Sequence, residues 1–82
     1  MTLSETEELM NSKDYKDRFL GEYMQLRIRR ESLGNMLKKW DAGKLDFHPT
    51  CPRSIYTLQT RAMDDYLAVL KTRADMEGIE LP

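Results

Sequence analysis

The apolar residues of this chain recur with helical spacing in two long stretches. Between residues 12 and 42 the interval is three or four positions, as on one face of an α-helix. That stripe, which includes one arginine, consists of Phe19, Tyr23, Leu26, Arg30, Leu33, Leu37 and Trp40. Residues 52–78 carry two adjacent stripes: first Ile55, Leu58, Ala62, Tyr66, either Val69 or Leu70, and Arg73, and second Met63, Leu67, Leu70 and Ala74. Two long helices are therefore predicted.

Glycine and proline mark the ends of these stretches. Gly43 and Gly78 follow the last periodic residues, where a left-handed residue commonly ends a helix. Pro52 fits the first turn of the second long helix, where its missing N–H is not needed. The predicted fold class is all-α, a single helical domain of two long antiparallel helices preceded by a short one. Its segments are a short helix or arm at 1–11, a helix at 12–42, a loop at 43–51, a helix at 52–78 and a tail at 79–82.

Two local features refine this outline. Ser4 and Glu7 stand at the spacing of a capping box, in which each side chain bonds the other residue's backbone N–H. Gly34, inside the first long helix, costs up to about 1 kcal/mol relative to alanine. It predicts a close helix–helix approach or a slight bend at that point.

A short loop makes the two long helices antiparallel neighbours. If the first stripe of the second helix faces the first helix, Arg30 lies near Asp65 and Tyr66. The same register places Glu22 near Arg73, and these are the predicted structural pairs. The second stripe then needs another partner, because a broad exposed apolar surface usually marks an interface. We expect a homo-oligomer; the alternative is that the short N-terminal helix covers the second stripe.

The composition limits the possible functions. The chain has 82 residues, a net charge of −1 and one cysteine. An internal disulfide is therefore excluded, and duplex DNA is not an expected partner. No apolar run approaches the length of a membrane span, and the acidic N-terminus lacks the apolar core of a signal peptide. We expect no membrane partner and a soluble intracellular protein.

The sequence carries no enzyme signature, so neither catalytic residues nor a cofactor are predicted. The only histidine, His48, and the only cysteine, Cys51, lie three residues apart in the loop. A zinc site normally needs four such ligands, and a cysteine nucleophile needs an oriented base. No metal site and no enzymatic activity are expected.

Basic and aromatic residues gather on the first long helix. Positions 27–39 hold five basic residues and one acidic residue, a patch that suits a small anionic partner better than a long polyanion. Tyrosine beside arginine can stack on a base and neutralise a phosphate. The candidate ligand-binding residues are Tyr15, Arg18, Tyr23, Arg27 and Arg30. The alternative is structural: a solvated helix face, core-filling tyrosines and arginines paired across the hairpin.

Three segments together resemble a known family. They are KDYKDRFLGEYMQL, LDFHPTCPRSI and AMDDYLAVLKTRADMEGIEL, and the last contains a Met-x-x-Tyr-x-x-x-Leu-x-x-Arg pattern at Met63, Tyr66, Leu70 and Arg73. From about residue 13 to 81, the chain resembles very small phage proteins with a helical-hairpin domain, similar to the anti-CBASS sponges.

This resemblance implies immune evasion in the cytoplasm of an infected bacterial host. Such sponges form helical homo-oligomers, often hexamers, that bind cyclic di- and trinucleotide messengers between protomers and do not cleave them. In that family an aromatic residue stacks on a base and basic residues hold the phosphates. Tyr15, Arg18 and Arg30 are the nearest matches here. The alternative hypothesis is a helical adaptor or inhibitor of a host protein, with no nucleotide ligand.

Overall fold

A computed structural model describes all 82 residues as three α-helices with no β-strand. Helix α1 spans Leu3–Met10, α2 spans Tyr15–Asp41 and α3 spans Arg53–Glu77. The predicted all-α class is therefore confirmed. Ion pairs join Arg53 to Asp41 and Arg30 to Asp64, so α2 and α3 run antiparallel. None of the three helices has the length and apolar character needed to cross a bilayer.

Glycines end both long helices, as the sequence predicts. Gly78 has φ 68°, and the N–H of Ile79 donates to the Ala74 carbonyl at 2.9 Å, which completes a left-handed cap on α3. Gly43 has φ 71° just after α2, and the N–H of Lys44 donates back to the Lys39 carbonyl at 2.8 Å.

The helix starts differ from the sequence prediction. Thr2, not Ser4, caps α1, because its hydroxyl accepts from the Glu5 N–H at 3.3 Å. Helix α2 begins at Tyr15 rather than at residue 12, because the Asp14 side chain accepts from the Lys16 N–H at 2.9 Å. In each case a nearby oxygen satisfies a free N–H of the first turn.

Helix α1 lies against α2 and makes no contact with α3. Gly21 permits this approach, since a Cβ there would lie 2.8 Å from Met10 Cγ and 3.0 Å from the Met10 backbone nitrogen. The alternative that the N-terminal helix covers the second stripe of α3 is therefore wrong. At Gly34, where a close helix approach was predicted, a Cβ would meet only the Arg30 guanidinium, at 2.9 Å.

The core lies between α2 and α3 and uses the second stripe of α3. Leu70 is 0 % exposed, and the same cluster contains Phe19, Tyr23, Met24, Leu26, Met63 and Ala74. The first stripe, predicted to face α2, is instead largely exposed, as at Val69, which is 55 % exposed. That prediction was wrong because both stripes have helical spacing, and spacing alone does not fix the rotation of α3 about its axis.

The loop end of the hairpin is held by one aromatic pair and one ion pair. The rings of Trp40 and Tyr56 meet edge to face, with centroids 5.6 Å apart. The Arg53 guanidinium donates to both carboxylate oxygens of Asp41, at 3.0 and 3.2 Å. This bidentate pair lowers the pKa of Asp41 below its ordinary value. These two contacts hold the end of α2 against the start of α3, so the two ends that the loop residues 43–52 connect are fixed relative to each other.

The chain exposes more surface than a compact monomer of its size. Its accessible area is 6003 Å², whereas the area–mass relation for compact monomers gives about 5,100 Å². Its radius of gyration is 15.0 Å, against about 12 Å for a compact domain of this length. The excess is about 900 Å² per chain relative to that scaling.

Gly21→Ala is expected to release α1 from α2. Alanine favours a helix over glycine by up to about 1 kcal/mol, but the new Cβ would overlap Met10 Cγ at 2.8 Å and press on Leu9 Cβ and the Met10 backbone nitrogen, both at 3.0 Å, so α1 would have to shift. We expect a lower thermal midpoint in circular dichroism and faster amide hydrogen exchange along α1. Gly34→Ala is the control, since its Cβ meets only the end of the Arg30 side chain and nothing of α1; amide exchange along α1 should stay as in the wild type. Wild-type exchange of α1 in Gly21→Ala would contradict this account.

Candidate functional site

A groove of about 740 Å³ runs along one side of the α2–α3 contact. Helix α2, helix α3 and the tail after Gly78 each form one wall. The lining residues are Tyr23, Arg27, Arg30 and Glu31 from α2, Leu67, Lys71, Ala74 and Asp75 from α3, and Ile79, Glu80, Leu81 and Pro82 from the tail. We call it the α2–α3 groove.

Helical spacing brings three of the candidate ligand residues into this groove. Tyr23, Arg27 and Arg30 stand four and three positions apart, so they share one face of α2. Tyr23 is only 4 % exposed and belongs to the core cluster, so it contributes to the groove floor rather than a free stacking surface. Arg27 and Arg30 are half-buried and keep part of each side chain in solvent.

Arg27 connects α2 to the tail. Its Nε donates to Glu31 Oε1 at 3.2 Å, and its Nη1 donates to the Pro82 carbonyl at 3.1 Å. The bond to Glu31 is the main cause that raises the pKa of Arg27 above its ordinary value, so the guanidinium stays charged. Ile79 and Leu81 pack against the core cluster beneath this contact. The tail wall is therefore fixed by apolar packing and one hydrogen bond.

Arg30 pairs with Asp64 rather than with the predicted Asp65. Its Nε and Nη2 donate to the two Asp64 oxygens at 2.8 and 3.2 Å. The bond from Arg30 lowers the pKa of Asp64, and Lys71 contributes in the same direction. The sequence prediction assumed that the first stripe faces α2, which would bring Asp65 close to Arg30. Because the second stripe is buried instead, Asp64 faces Arg30.

Lys71 is a groove residue that sequence reasoning missed. It lies seven positions after Asp64, so both residues occupy the same side of α3. Predicting Lys71 required the correct rotation of α3 about its axis, and the sequence prediction, which placed the first stripe against α2, had the wrong rotation. The tail wall was also missed, because no pattern after Gly78 fixes the direction of the chain.

The groove is balanced in charge. Its lining holds three cations and three carboxylates: Arg27, Arg30 and Lys71, and Glu31, Asp75 and Glu80. Such a surface can bind a ligand that carries both acceptor and donor groups. An anion alone would have to compete with Glu31 for Arg27.

Tyr15 lies outside the groove, in a cluster that joins the start of α2 to the end of α3. Its hydroxyl donates to Glu77 Oε1 at 2.6 Å and accepts from Arg73 Nη2 at 3.0 Å. The bond to Glu77 raises the pKa of Tyr15 above its ordinary value. The Arg73 guanidinium lies 5.0 Å from the Phe19 ring centroid, which is cation–π geometry. We call this group the Tyr15 cluster.

The remaining predicted residues have local partners. Arg18 Nη1 donates to the Ser12 carbonyl at 2.9 Å, away from the groove. Glu22 accepts from the Tyr66 hydroxyl, whereas the predicted Glu22–Arg73 pair is absent. Arg73 bonds Tyr15 and Glu77 instead, and Tyr66 takes the place beside Glu22. The ligand-binding roles of the five candidate residues stay predictions.

Comparison with known proteins gives one match. The family model described as Sequestin matches residues 13–76, which cover α2, the loop and all but the last residue of α3. The α2 and α3 walls of the groove lie inside the match, and the tail wall lies outside it. No curated protein and no solved structure matches the chain.

The α2–α3 contact is expected to depend on pH through Asp64. Its folded-state pKa is lowered by Arg30, so its contribution to stability is present above the unfolded-state pKa and is lost as the pH falls through the folded-state pKa. Asp64→Asn should therefore lower the thermal midpoint at neutral pH. The gap between variant and wild type should shrink as the pH falls below about 4, the ordinary aspartate value.

Asp65→Asn is the matched control, since it removes the same charge from the adjacent position and Asp65 forms no ion pair. Its midpoint should follow the wild-type curve through the acid range. Thermal melts at a series of pH values measure both variants. If Asp65→Asn lowers the thermal midpoint as much as Asp64→Asn does, the Arg30–Asp64 pair is not the cause of the stabilisation.

Proposed function

This chain belongs to the Sequestin family, and we propose that it sequesters a cyclic oligonucleotide immune messenger in the α2–α3 groove without cleaving it. The family name denotes sequestration of a ligand, and the resemblance to phage anti-CBASS sponges points to cyclic di- or trinucleotides. The observation that supports this ligand position is that Arg27, Arg30 and Lys71 all line one groove of about 740 Å³. Ligand pockets commonly have volumes of roughly 300–1,000 Å³.

The arginines supply the contacts that a phosphate needs. A guanidinium presents paired donors that match phosphate oxygens, and such charge-assisted bonds are among the strong ones. Arg27 uses one donor on Glu31 and one on a tail carbonyl, and Arg30 uses two on Asp64. Both are partly exposed, so a phosphate at the groove mouth can share them. Lys71 adds a third positive charge on the facing wall.

The mixed lining also suits the remainder of a nucleotide. Bases and ribose hydroxyls donate hydrogen bonds, and Asp75 and Glu80 are carboxylate acceptors within the groove. Leu67, Ile79 and Leu81, which are half-buried, give apolar surface against which a flat base can pack. Sequestration requires only affinity, and a nanomolar dissociation constant corresponds to about −12 kcal/mol.

We also propose that the chain is of phage origin, forms a homo-oligomer and acts in the cytoplasm of an infected bacterium. The resemblance motivates the origin, the location and the hexamer expectation. The excess of about 900 Å² of exposed surface over the compact-monomer scaling supports assembly.

The second candidate function is a helical adaptor or inhibitor of a host protein. The exposed first stripe of α3 favours it, because an apolar helix face can fit a groove on another protein. This candidate needs no nucleotide, so nucleotide binding separates the two functions.

Calorimetric titration with a panel of cyclic di- and trinucleotides and cyclic ADP-ribose isomers tests the proposal. We expect one messenger class to bind tightly, and mass spectrometry to recover it intact. Arg27→Gln should weaken binding by about 10- to 100-fold, the value of one bond to a charged group. Arg29→Gln is the control, since it removes the same charge from α2 and lies outside the groove. It should leave affinity within about twofold.

The titration also decides between the two placements of the ligand. Tyr15→Ala should leave binding unchanged if the groove is the site. A loss in Tyr15→Ala together with wild-type affinity in Arg27→Gln would move the site to the Tyr15 cluster. No heat and no thermal shift with any member of the panel would refute sequestration of this ligand class.

A further inference from the structure

We propose that the tail, residues 79–82, is an autoinhibitory latch: its end occupies Arg27 until a phosphate group of the ligand displaces it. This role rests on the proposed function, because it concerns how a phosphate gains Arg27 in the α2–α3 groove. It goes beyond that function by making ligand binding depend on release of the tail end. The tail lies outside residues 13–76, which the Sequestin model matches, so the family match does not account for it.

The tail and α2 together engage the donors of Arg27 that a phosphate would use. Arg27 Nη1 donates to the Pro82 carbonyl at 3.1 Å, and Arg27 Nε donates to Glu31 Oε1 at 3.2 Å. A bidentate phosphate binds a guanidinium through two parallel N–H donors, either Nε with one Nη atom or both Nη atoms. The two acceptors engage one atom of each arrangement. A bidentate phosphate at Arg27 therefore competes with Pro82 or with Glu31.

Pro82 is the acceptor that is more easily displaced. It is exposed, and its bond to Arg27 is the only hydrogen bond that residues 80–82 form. Glu31 lies one helical turn from Arg27 on the same helix, and its bond to Arg27 is charge-assisted. A neutral carbonyl at the end of a short segment is the weaker competitor of the two. The phosphate therefore takes the position of the Pro82 carbonyl.

The root of the tail stays in place when its end moves. The Ile79 N–H donates to the Ala74 carbonyl at 2.9 Å, within the left-handed cap at Gly78. Ile79 and Leu81 are half-buried and pack against the core cluster. These contacts keep the tail beside α2 and allow it to return, so the contact of Pro82 with Arg27 is the movable one.

Occupation of Arg27 by the tail should lower the affinity of the groove for phosphate. The apparent affinity of a ligand falls in proportion to the fraction of molecules whose site is open. Weakening the hold of the tail should raise that open fraction, and with it the affinity. A tail that served only as a fixed wall would give no such gain, because its loss would free no donor.

NMR relaxation of the ligand-free full chain tests whether Arg27 holds the tail. The heteronuclear NOE of the Leu81 N–H measures motion of the tail on the ps–ns timescale. Arg27→Gln should lower this NOE, because it removes the guanidinium that bonds Pro82. Arg29→Gln is the matched control, since it removes the same charge from α2 outside the groove; it should keep the wild-type value. An unchanged NOE in Arg27→Gln would overturn the proposal.

Titration with inorganic phosphate at constant ionic strength tests the competition. Phosphate has no base to pack on Leu81, so it isolates the effect at Arg27. Binding, followed by the Arg27 Nε–H resonance, should lower the Leu81 NOE of the wild type. Leu81→Ala, which weakens the packing of the tail, should bind phosphate about 3- to 10-fold more tightly as the open fraction rises. Leu58→Ala is the control, since Leu58 is 60 % exposed on α3 outside the groove; it should keep wild-type affinity.

Three outcomes of the titration would refute the latch: phosphate bound at Arg27 with an unchanged Leu81 NOE, no gain in Leu81→Ala, or no phosphate binding at Arg27. If Leu81→Ala fails to fold, the wild-type titration decides. None of these measurements uses a cyclic nucleotide, so the two proposals fail separately. A latch that opens for phosphate while no messenger binds refutes only sequestration, and a messenger that binds without moving the tail refutes only the latch.

Discussion

The burial of Leu70 between α2 and α3 fixes the rotation of α3, and the rest of the molecule depends on that rotation. Leu70 is 0 % exposed and packs with Met63, Ala74 and the aromatic residues of α2. Neighbouring residues of a helix point about 100° apart. Once Met63 and Leu70 face inward, Asp64 and Lys71 turn to the groove side, and Ala62 and Val69 turn to the other side. One packing choice thus produces both the ion pair to Arg30 and the exposure of the first stripe of α3.

The sequence predicted where both long helices end, because those ends depend on local chemistry, whereas the starts of α1 and α2 differ from the prediction. The left-handed turns at Gly43 and Gly78 are set by the residues themselves. The rotation of α3 was not predictable in the same way, since two stripes of equal spacing compete and the longer one remains exposed. Gly21 was also missed as a contact point, because its role depends on the packing of α1 against α2, which the periodicity of α2 does not reveal.

The candidate site was predictable only where one helix carries it. Tyr23, Arg27 and Arg30 come together because spacings of three and four place them on one face of α2. Lys71 and the tail enter through tertiary packing, so no local pattern reveals them. Tyr15 is a residue for which tertiary contacts change the predicted role. Its position suggested a free aromatic ring, but the folded chain engages its hydroxyl with Glu77 and Arg73, two residues about sixty positions away in sequence.

The two surfaces of α3 have consequences for how a ligand would be held. Lys71 is two positions beyond Val69, and Asp64 is two positions beyond Ala62, which places each pair about 160° apart around the helix. A second copy packed on the exposed first stripe of α3 would therefore leave the α2–α3 groove uncovered. The groove has walls from α2, α3 and the tail of a single chain. Each chain would then hold its own ligand, unlike the inter-protomer sites that the sponge resemblance implies. Assembly would act by stabilising α3, and through it the α3 wall of the groove.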